Sequence, residues 1–370
     1  MLKIITGRSG SGKTNYIFNS IAENIKQGED NILLITPEQY SFVSERKLLK
    51  LLGEENVNKV ENASFTRLNS FVSEKYGNFS LPILSKGSKA VMLKKACEKC
   101  KDELTLFSKN INNTAFINSF VKVYDEMKSC RVTAEDIMDA SYNTDKPVLS
   151  QKLHDISVIT SVYDELIKDK YIDNAEELTY LYQRLCTLDY FTGRTVYIDG
   201  FNGFVAQEYK IIEVILSQAK DVYITFCTDS YLNGDKYDLF SYVNSNISIL
   251  YDVAKKENIN VAPPINLTKN YRAHNDEMLY LEKNLYCDVK TAYENKTENI
   301  ELYRAKNIVD ECDYVSSSIS KLLRSDVNPC DITVICRDMD KYQHQLEYSF
   351  KKFNVPYFND ERQNISSQPL

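Results

Sequence analysis

The residues of this chain whose types and spacing can do chemistry lie at its start, in Gly7-Arg8-Ser9-Gly10-Ser11-Gly12-Lys13-Thr14. Wrapping a phosphate in backbone N–H groups requires left-handed φ values and the absence of a Cβ, and Gly7, Gly10 and Gly12 supply both. Lys13 would then reach the β- and γ-phosphates, and Thr14 would offer its hydroxyl to Mg²⁺. All the residues from Gly7 to Thr14, Arg8, Ser9 and Ser11 included, are expected to line a nucleotide site. The elements needed to position them are present. Leu2 to Thr6 reads as a short buried strand, Ile17, Ile21 and Ile25 recur at four-residue spacing, and Gly28 is a natural helix stop. A strand before and a helix after turn a glycine-rich run into a P-loop, with the positive helix N-terminus aimed at an anion.

A P-loop needs a carboxylate to hold the Mg²⁺ water shell, placed at the end of an apolar strand beside the loop. Asp199, closing Thr195-Val196-Tyr197-Ile198, meets that requirement, although an Asp before Gly200 can also serve only as a turn cap. Between the two lies a second strand, Asn31 to Thr36, a helix through Arg46 to Leu52, a third strand near Val57 to Ala63, and a helix opening at Ser64. Strand and helix alternate as in a parallel α/β sheet. From about Leu84 to Leu188 strand signals vanish and helical periodicity takes over, in Phe116, Phe120, Val123, Tyr124 and Met127 and again in Leu149, Leu153, Ile156, Tyr163 and Ile167. Lys86, Lys89, Lys94, Lys95, Lys99 and Lys101 cluster at its start and read as a solvated helix face, with a phosphate-backbone contact as the lesser reading.

Strand grammar returns at Thr195–Asp199 and Asp221–Cys227, each followed by a helix. Leu267 to Arg272 is expected to open a helix to Tyr286. After a polar linker, Asn295 to Asn299, a further βαβαβ run is expected: strands at 300–305, 331–336 and 355–358, with helices Val309–Arg324 and Asp340–Phe353. Three parallel strands leave an edge unpaired, so the run reads as the start of a domain cut short at Gln368-Pro369-Leu370. The expected architecture is therefore α/β: a P-loop parallel sheet formed by residues 1–83 and 189–290, an inserted all-helical subdomain at 84–188, and the beginning of a second α/β domain at 300–370.

Bulk properties narrow the setting. With 370 residues, 43% hydrophobic and 26% charged, this is an ordinary globular composition, and a net charge of −7 advertises no global nucleic-acid surface. The cysteines, 9 in number and scattered, do not form a disulfide framework and point to a reducing cytosol. Cys97 and Cys100 form the one CxxC, but with no second pair at zinc spacing they read as helical cysteines. His154, His274 and His344 stand singly on polar stretches. Neither a signal peptide nor a membrane-length apolar run is present, so a cytoplasmic location without membrane contact is expected.

The ordered set of motifs resembles the UvrD-like superfamily 1 helicases: an N-terminal P-loop, a helical insertion, Asp199-Gly200-Phe201-Asn202, and Asn270-Tyr271-Arg272 before a second α/β region. It is similar above all to the AddB subunits of bacterial AddAB helicase-nucleases, through GRSGSGKT, Thr36-Pro37-Glu38-Gln39-Tyr40, Ser64-Phe65-Thr66-Arg67-Leu68, Ile198-Asp199-Gly200-Phe201, and Arg337-Asp338 through Val355-Pro356-Tyr357-Phe358. The resemblance implies RecA-like folds, ATP and Mg²⁺ as cofactors, a heterodimer with an AddA-like helicase-nuclease subunit, and action on double-strand DNA ends with recognition of Chi. It implies a C-terminal nuclease domain and an iron-sulfur cluster only in a full-length member; no cysteine here is assigned to either. Arg272 matches the family's arginine finger to the γ-phosphate, and a local capping role stands beside it. Thr36, Gln39 and Tyr40 match a loop that touches single-stranded DNA, though an aromatic at Tyr40 is also a core candidate.

One departure bears on mechanism. Where working helicases carry a Glu after the Walker B Asp to activate water, this chain has Gly200. Losing a general base lowers rates by about 10²- to 10⁴-fold, taking a turnover of about 10 s⁻¹ below about 0.1 s⁻¹. Glu208 reads as a solvent-facing helix residue rather than a substitute, and Thr228-Asp229-Ser230 lacks the signature that couples γ-phosphate to DNA. Nucleotide binding without efficient hydrolysis is the expectation, and no catalytic residue is assigned. A small-molecule or nucleoside kinase is the alternative, since its P-loops are similar; the helical insertion, the second α/β region and the lack of an Arg-bearing lid stand against it.

Overall fold

The computed structural model describes residues 1–77, 81–229, 239–286 and 291–359; Ser230 of the missing coupling signature and Gln368-Pro369-Leu370 lie outside these. The chain divides into two compact units, Met1–Ala292 and Tyr293–Leu370.

The first unit begins β1 (Leu2–Gly7), α1 (Lys13–Lys26), β2 (Ile32–Ile35), α2 (Glu38–Leu52), α3 (Glu54–Val57), β3 (Val60–Ala63) and α4 (Phe65–Tyr76). After a helical stretch described below it resumes as β6 (Thr195–Ile198), α10 (Ala206–Gln218), β7 (Asp221–Cys227), α11 (Ser241–Lys256), β8 (Ile265–Asn266) and α12 (Asp276–Asn284). The strands form one parallel sheet in the order β3-β2-β6-β7-β1-β8. β6 is therefore separated from the P-loop strand by β7 rather than lying beside it. The edge strand β8 is only two residues long and gave no periodic signal in the sequence.

Period-two alternation explains why these runs are nearly continuously apolar. Leu2, Ile4, Leu33, Ile35, Val196 and Ile198 face one core with α4, α10 and α11. Ile5, Ile32, Leu34 and Tyr197 face the other, against Ile17, Phe18, Ile21 and Ile25 of α1 and Leu48 of α2. A parallel sheet covered on both faces has no polar side to show.

Between α4 and β6 the chain runs β4 (Ile83–Leu84), α5 (Lys86–Lys99), α6 (Thr114–Ser129), α7 (Ala134–Tyr142), α8 (Pro147–Ile167), β5 (Ile172–Asp173) and α9 (Glu177–Leu185). The region is helical with a core of its own, to which Cys97 and Cys100 belong. Burial pushes their thiols up to about 12 and about 11, which suits packing rather than reactivity. Helical periodicity did not reveal the parallel β4–β5 pair, because two residues per strand leave no period to detect. Lys89 also departs from the expected solvated face. It is 1% exposed and donates to Asp125 and, at 2.6 Å, to Asp173 Oδ1. Asp173 in turn accepts from the Tyr163 hydroxyl at 2.5 Å and from the backbone of Ala175 at 2.8 Å. A buried ammonium is tolerable only with such partners.

In the second unit, α13 (Ile308–Arg324) packs on α14 (Met339–Lys352) around Cys312, Ile319, Leu346, Phe350 and Val355. The strands expected at 300–305, 331–336 and 355–358 run as chain without ladder pairing among the described residues. Leu302, Ile335 and Phe358 stand 97%, 89% and 89% exposed, so neither cross-strand bonds nor burial of the outer face favours a sheet here.

The first sheet is pinned at its base by Glu61 of β3, which accepts from Arg194 Nη1 at 2.6 Å and Nη2 at 3.1 Å and from the Tyr190 hydroxyl at 2.7 Å. Burial raises the Glu61 pKa, but these donors outweigh it and hold the carboxyl below its ordinary 4.5. Glu61→Gln, which leaves Arg194 buried without its counter-charge, is expected to lower unfolding free energy by about 2 kcal/mol, less than a fully buried pair would lose because Glu61 is partly solvated. A lowered carboxylate pKa gives stability that is complete above the unfolded value and lost as pH falls through the folded one. The difference between wild type and variant in urea unfolding should thus be present at pH 7 and shrink below pH 4.5.

Candidate functional site

The P-loop follows β1 at the carboxyl edge of the sheet, where parallel α/β folds place their ligands. Gly10 and Gly12 take φ values of +80° and +86°, and Gly12 is the residue from which α1 starts. Lys13 Nζ lies along the loop, donating to the carbonyls of Gly7 at 2.7 Å and Arg8 at 2.9 Å. Burial lowers its pKa, Cys227 and Asp199 oppose that, and Arg272 adds to it. Ser11 is buried and its Oγ has no hydrogen-bond partner among the described residues, while Thr14 is exposed in the first turn of α1.

Asn270-Tyr271-Arg272 closes over this loop. It precedes α12 by several residues, so it is loop and not the helix opening expected; the Asn275 side chain, accepting from Met278 N, sets the helix start instead. Tyr271 N donates to Gly10 O at 2.8 Å, Asn270 Nδ2 to Ser9 O at 3.3 Å, and Arg272 Nη1 to Ser9 Oγ at 3.1 Å. Asn270 Oδ1 caps the turn by accepting from the amides of Arg272 and Ala273. A Cβ on Gly10 would stand 2.7 Å from Asn270 Oδ1 and 2.8 Å from Arg272 Cβ, and one on Gly7 would stand 2.6 Å from Leu267 O. Two of the three glycines are thus required by a segment some 260 residues away; Gly7, which ends β1, does not take the left-handed φ expected of it, and space for Ser11 Oγ and Leu267 O is what it supplies.

Contrary to expectation, Gly7, Arg8 and Ser11 do not line the cavity beside the loop: Ser11 is buried against Gly7, and Arg8 turns its side chain elsewhere. Its guanidinium pairs with Glu282 Oε1 at 2.8 Å and Asp229 Oδ2 at 3.3 Å, and donates to the Glu282 carbonyl at 2.7 Å. It anchors α12 and the end of β7, leaving only its backbone for a ligand.

A cavity of about 590 Å³ opens beside the loop, lined by Ser9, Gly10, Gly12, Lys13, Thr14 and Arg272, and also by Asn15, Lys47, Cys227 and Tyr271. These last four were not singled out from the sequence as site residues: Tyr271 was noted only as part of Asn270-Tyr271-Arg272, no motif includes Asn15, Cys227 or Lys47, and Lys47 arrives from α2. Asp199 is buried at the same sheet edge and its Oδ1 accepts from the Thr225 hydroxyl of β7 at 2.5 Å. Gly200 follows at φ +86°, its missing Cβ directed to Pro37 at 3.4 Å. Glu208 is not solvent-facing as expected. It folds back to accept from Val205 N at 2.9 Å, and burial raises its pKa. Thr36 is buried, whereas Tyr40 is 53% exposed and so is not the core aromatic its neighbourhood suggested.

Glycine-rich backbone, a helix N-terminus and converging cations at the carboxyl edge of a parallel sheet define a P-loop protein of RecA-like architecture. Comparison with known proteins specifies it. The family described as "ADDB, N-terminal" matches residues 4–282, and the "UvrD-like helicase C-terminal domain" matches residues 265–365. The chain belongs to the ADDB N-terminal family. Over its whole length it is 33% identical to the B-type subunit of the ATP-dependent helicase/deoxyribonuclease of Clostridium tetani (strain Massachusetts / E88), and 31% identical to those of Clostridium acetobutylicum and Clostridioides difficile (strain 630). It covers 33%, 32% and 33% of those proteins, so it spans about a third of the length of the curated relatives it matches.

The close approach at Gly10 is testable directly. Gly10→Ala places a methyl group at a left-handed φ and against Asn270, so the segment over the loop must lift. Hydrogen exchange of the Tyr271 amide, protected by Gly10 O, should speed up by at least about tenfold, with a global stability loss of about 1–3 kcal/mol.

Proposed function

We propose that this chain is the helicase-like N-terminal portion of an AddB-type subunit of an ATP-dependent helicase/deoxyribonuclease, acting with a helicase-nuclease partner of the AddA kind on double-strand DNA ends during recombinational repair. Residues 1–83 with 189–290 serve as its first RecA-like domain, 84–188 as an insertion and 300–370 as the start of a second. The observation that carries the reading is the closure of Asn270-Tyr271-Arg272 onto Gly10 in a chain of this family, which puts an arginine beside the loop that would hold a γ-phosphate.

Gly7 to Gly12 and Lys13 bind the phosphates of ATP through backbone N–H groups and the ammonium. The donor set fits Mg²⁺: Thr14 offers a hydroxyl, and Asp199 keeps its Oδ2 free of hydrogen bonds among the described residues while Thr225 orients the carboxylate. The bound ion would neutralise phosphate charge. Arg272 exchanges its Ser9 contact for the terminal phosphate.

Hydrolysis is inefficient because no carboxylate follows Asp199. Glu208 is committed to its helix terminus, and the nearest chain to Gly200 is Pro37. Contribution to DNA and Chi recognition is supported by the exposed Tyr40 ring beside Gln39 at the sheet's carboxyl edge, where an aromatic can stack on a base.

Isolated protein should therefore bind ATP, with Lys13→Ala weakening binding at least about tenfold, a charged hydrogen bond being worth roughly 1.5–3 kcal/mol. Turnover should stay below about 0.1 s⁻¹ with or without single-stranded DNA. DNA-stimulated hydrolysis at helicase rates that Lys13→Ala abolishes would refute the reading. Gly200→Glu should not restore turnover, because a side chain at φ +86° is strained and leaves toward Pro37; single-turnover hydrolysis of radiolabelled ATP measures this.

A further inference from the structure

Lys47 is the feature of the cavity that no motif accounts for. On α2 its cationic neighbours Arg46 and Lys50 are exposed, as surface lysines and arginines usually are, but Lys47 is half-buried and turned inward. Its ammonium lies over Phe18, with Nζ 4.4 Å from the ring centroid, and Nζ donates to Asn15 Oδ1 at 2.7 Å. Asn15 is the residue after Thr14, in the first turn of α1. The ammonium is thus led by a neutral acceptor to the wall of the P-loop cavity, and it forms no ion pair with a carboxylate among the described residues. Burial lowers its pKa and Asp199 partly opposes that, so the group is near enough to the sheet edge to feel the Walker B carboxylate.

Three cations therefore line one cavity from three parts of the chain: Lys13 from the P-loop, Arg272 from the closing segment and Lys47 from α2. Asp199 is the one carboxylate that acts on both lysines. Like charges gathered in a partly desolvated space repel one another, and a polyanion among them adds attractions that offset that repulsion. A purely structural lysine on α2 would gain more by extending into water. The cation–π contact with Phe18 and the bond to Asn15 hold the ammonium in place, and what they leave unexplained is its gathering with Lys13 and Arg272 along one cavity.

We propose that Lys47 is a phosphate-binding residue of this site, closing on the phosphate chain of a nucleoside triphosphate from the side of α2, with Asn15 positioning its ammonium. The proposal rests on the nucleotide-binding reading above and extends it. The lysine acts as a third point charge, so affinity rises with the negative charge of the nucleotide. It also ties α2 to the occupant of the P-loop.

The test is titration of a fluorescent ATP analogue into the full chain, as wild type, Lys47→Met, Lys47→Arg and Lys13→Ala, at two salt concentrations, with circular dichroism to verify folding. Lys47→Met keeps an unbranched apolar side chain beside Phe18 and removes the charge together with its contacts to the ring and to Asn15. It should weaken binding about tenfold or more and reduce its salt dependence, while Lys47→Arg should remain within about threefold of wild type. Binding by Lys47→Met within about twofold of wild type, while Lys13→Ala loses it, would overturn the role of Lys47 and leave nucleotide binding intact. Failure of the wild type to bind would instead overturn the nucleotide reading, and this proposal with it.

Discussion

The constraint on which the rest of this site depends is the absence of side chains where Leu267 to Arg272 crosses the P-loop. At Gly7 and Gly10 the approaching atoms lie 2.6 to 2.8 Å from where a Cβ would be, closer than any real Cβ contact. Gly10 O and Ser9 O then serve as acceptors for Tyr271 N and Asn270 Nδ2, so the closing segment braces the loop through its carbonyls. Gly10 thus satisfies two demands, a left-handed turn in the loop and close packing of the segment over it, while Gly12 meets the first and Gly7 the second. Arg8 completes the bracing from the other side by holding α12 and Asp229.

The parallel sheet places these parts at one edge. Gly7 pairs with Cys227 at the end of β7, and Asp199 comes one residue beyond Ile198, which pairs with Ile224 of the same strand. Thr225 then reaches the Asp199 carboxylate across a single strand spacing. Away from the site, partly or wholly buried charges are paired with one another: Glu61 with Arg194, whose Nε alone lacks a partner among the described residues, and Lys89 with Asp125 and Asp173. Such clusters add little net stability compared with apolar packing, but removing one partner strands the other. In the helical insertion the cluster fixes how α5 and α6 meet the strand pair β4–β5, which no apolar contact could specify as narrowly.

Taken together, the site is rich in cations and poor in carboxylates that could activate water. Gly200 lacks the side chain, Glu208 is spent on capping, and Asp199 is held by Thr225. In the reading proposed above, a cavity of that composition would hold a polyphosphate while lacking a carboxylate to activate water. This is the physical sense in which the proposed nucleotide site suits a scaffold more than a motor.

The sequence alone determined the P-loop motif, the strands β1, β2, β6 and β7 and the run of helices between α4 and β6, because glycine spacing, continuous apolar runs and four-residue periodicity are local signals. It also located Asp199, Gly200 and Arg272, through motif order. It did not determine that the strands expected at 300–305, 331–336 and 355–358 lack ladder partners among the described residues, since pairing depends on what lies beside a strand. Nor could it show Lys89 buried in a cluster of lysines otherwise read as solvated, or Tyr40 exposed where an aromatic suggested core. Only the tertiary structure brought Lys47, Asn15, Cys227 and Tyr271 to the cavity. Their positions depend on how α2 crosses α1 and on how the chain after β8 returns over the loop, and contacts between residues far apart in sequence leave no period to read.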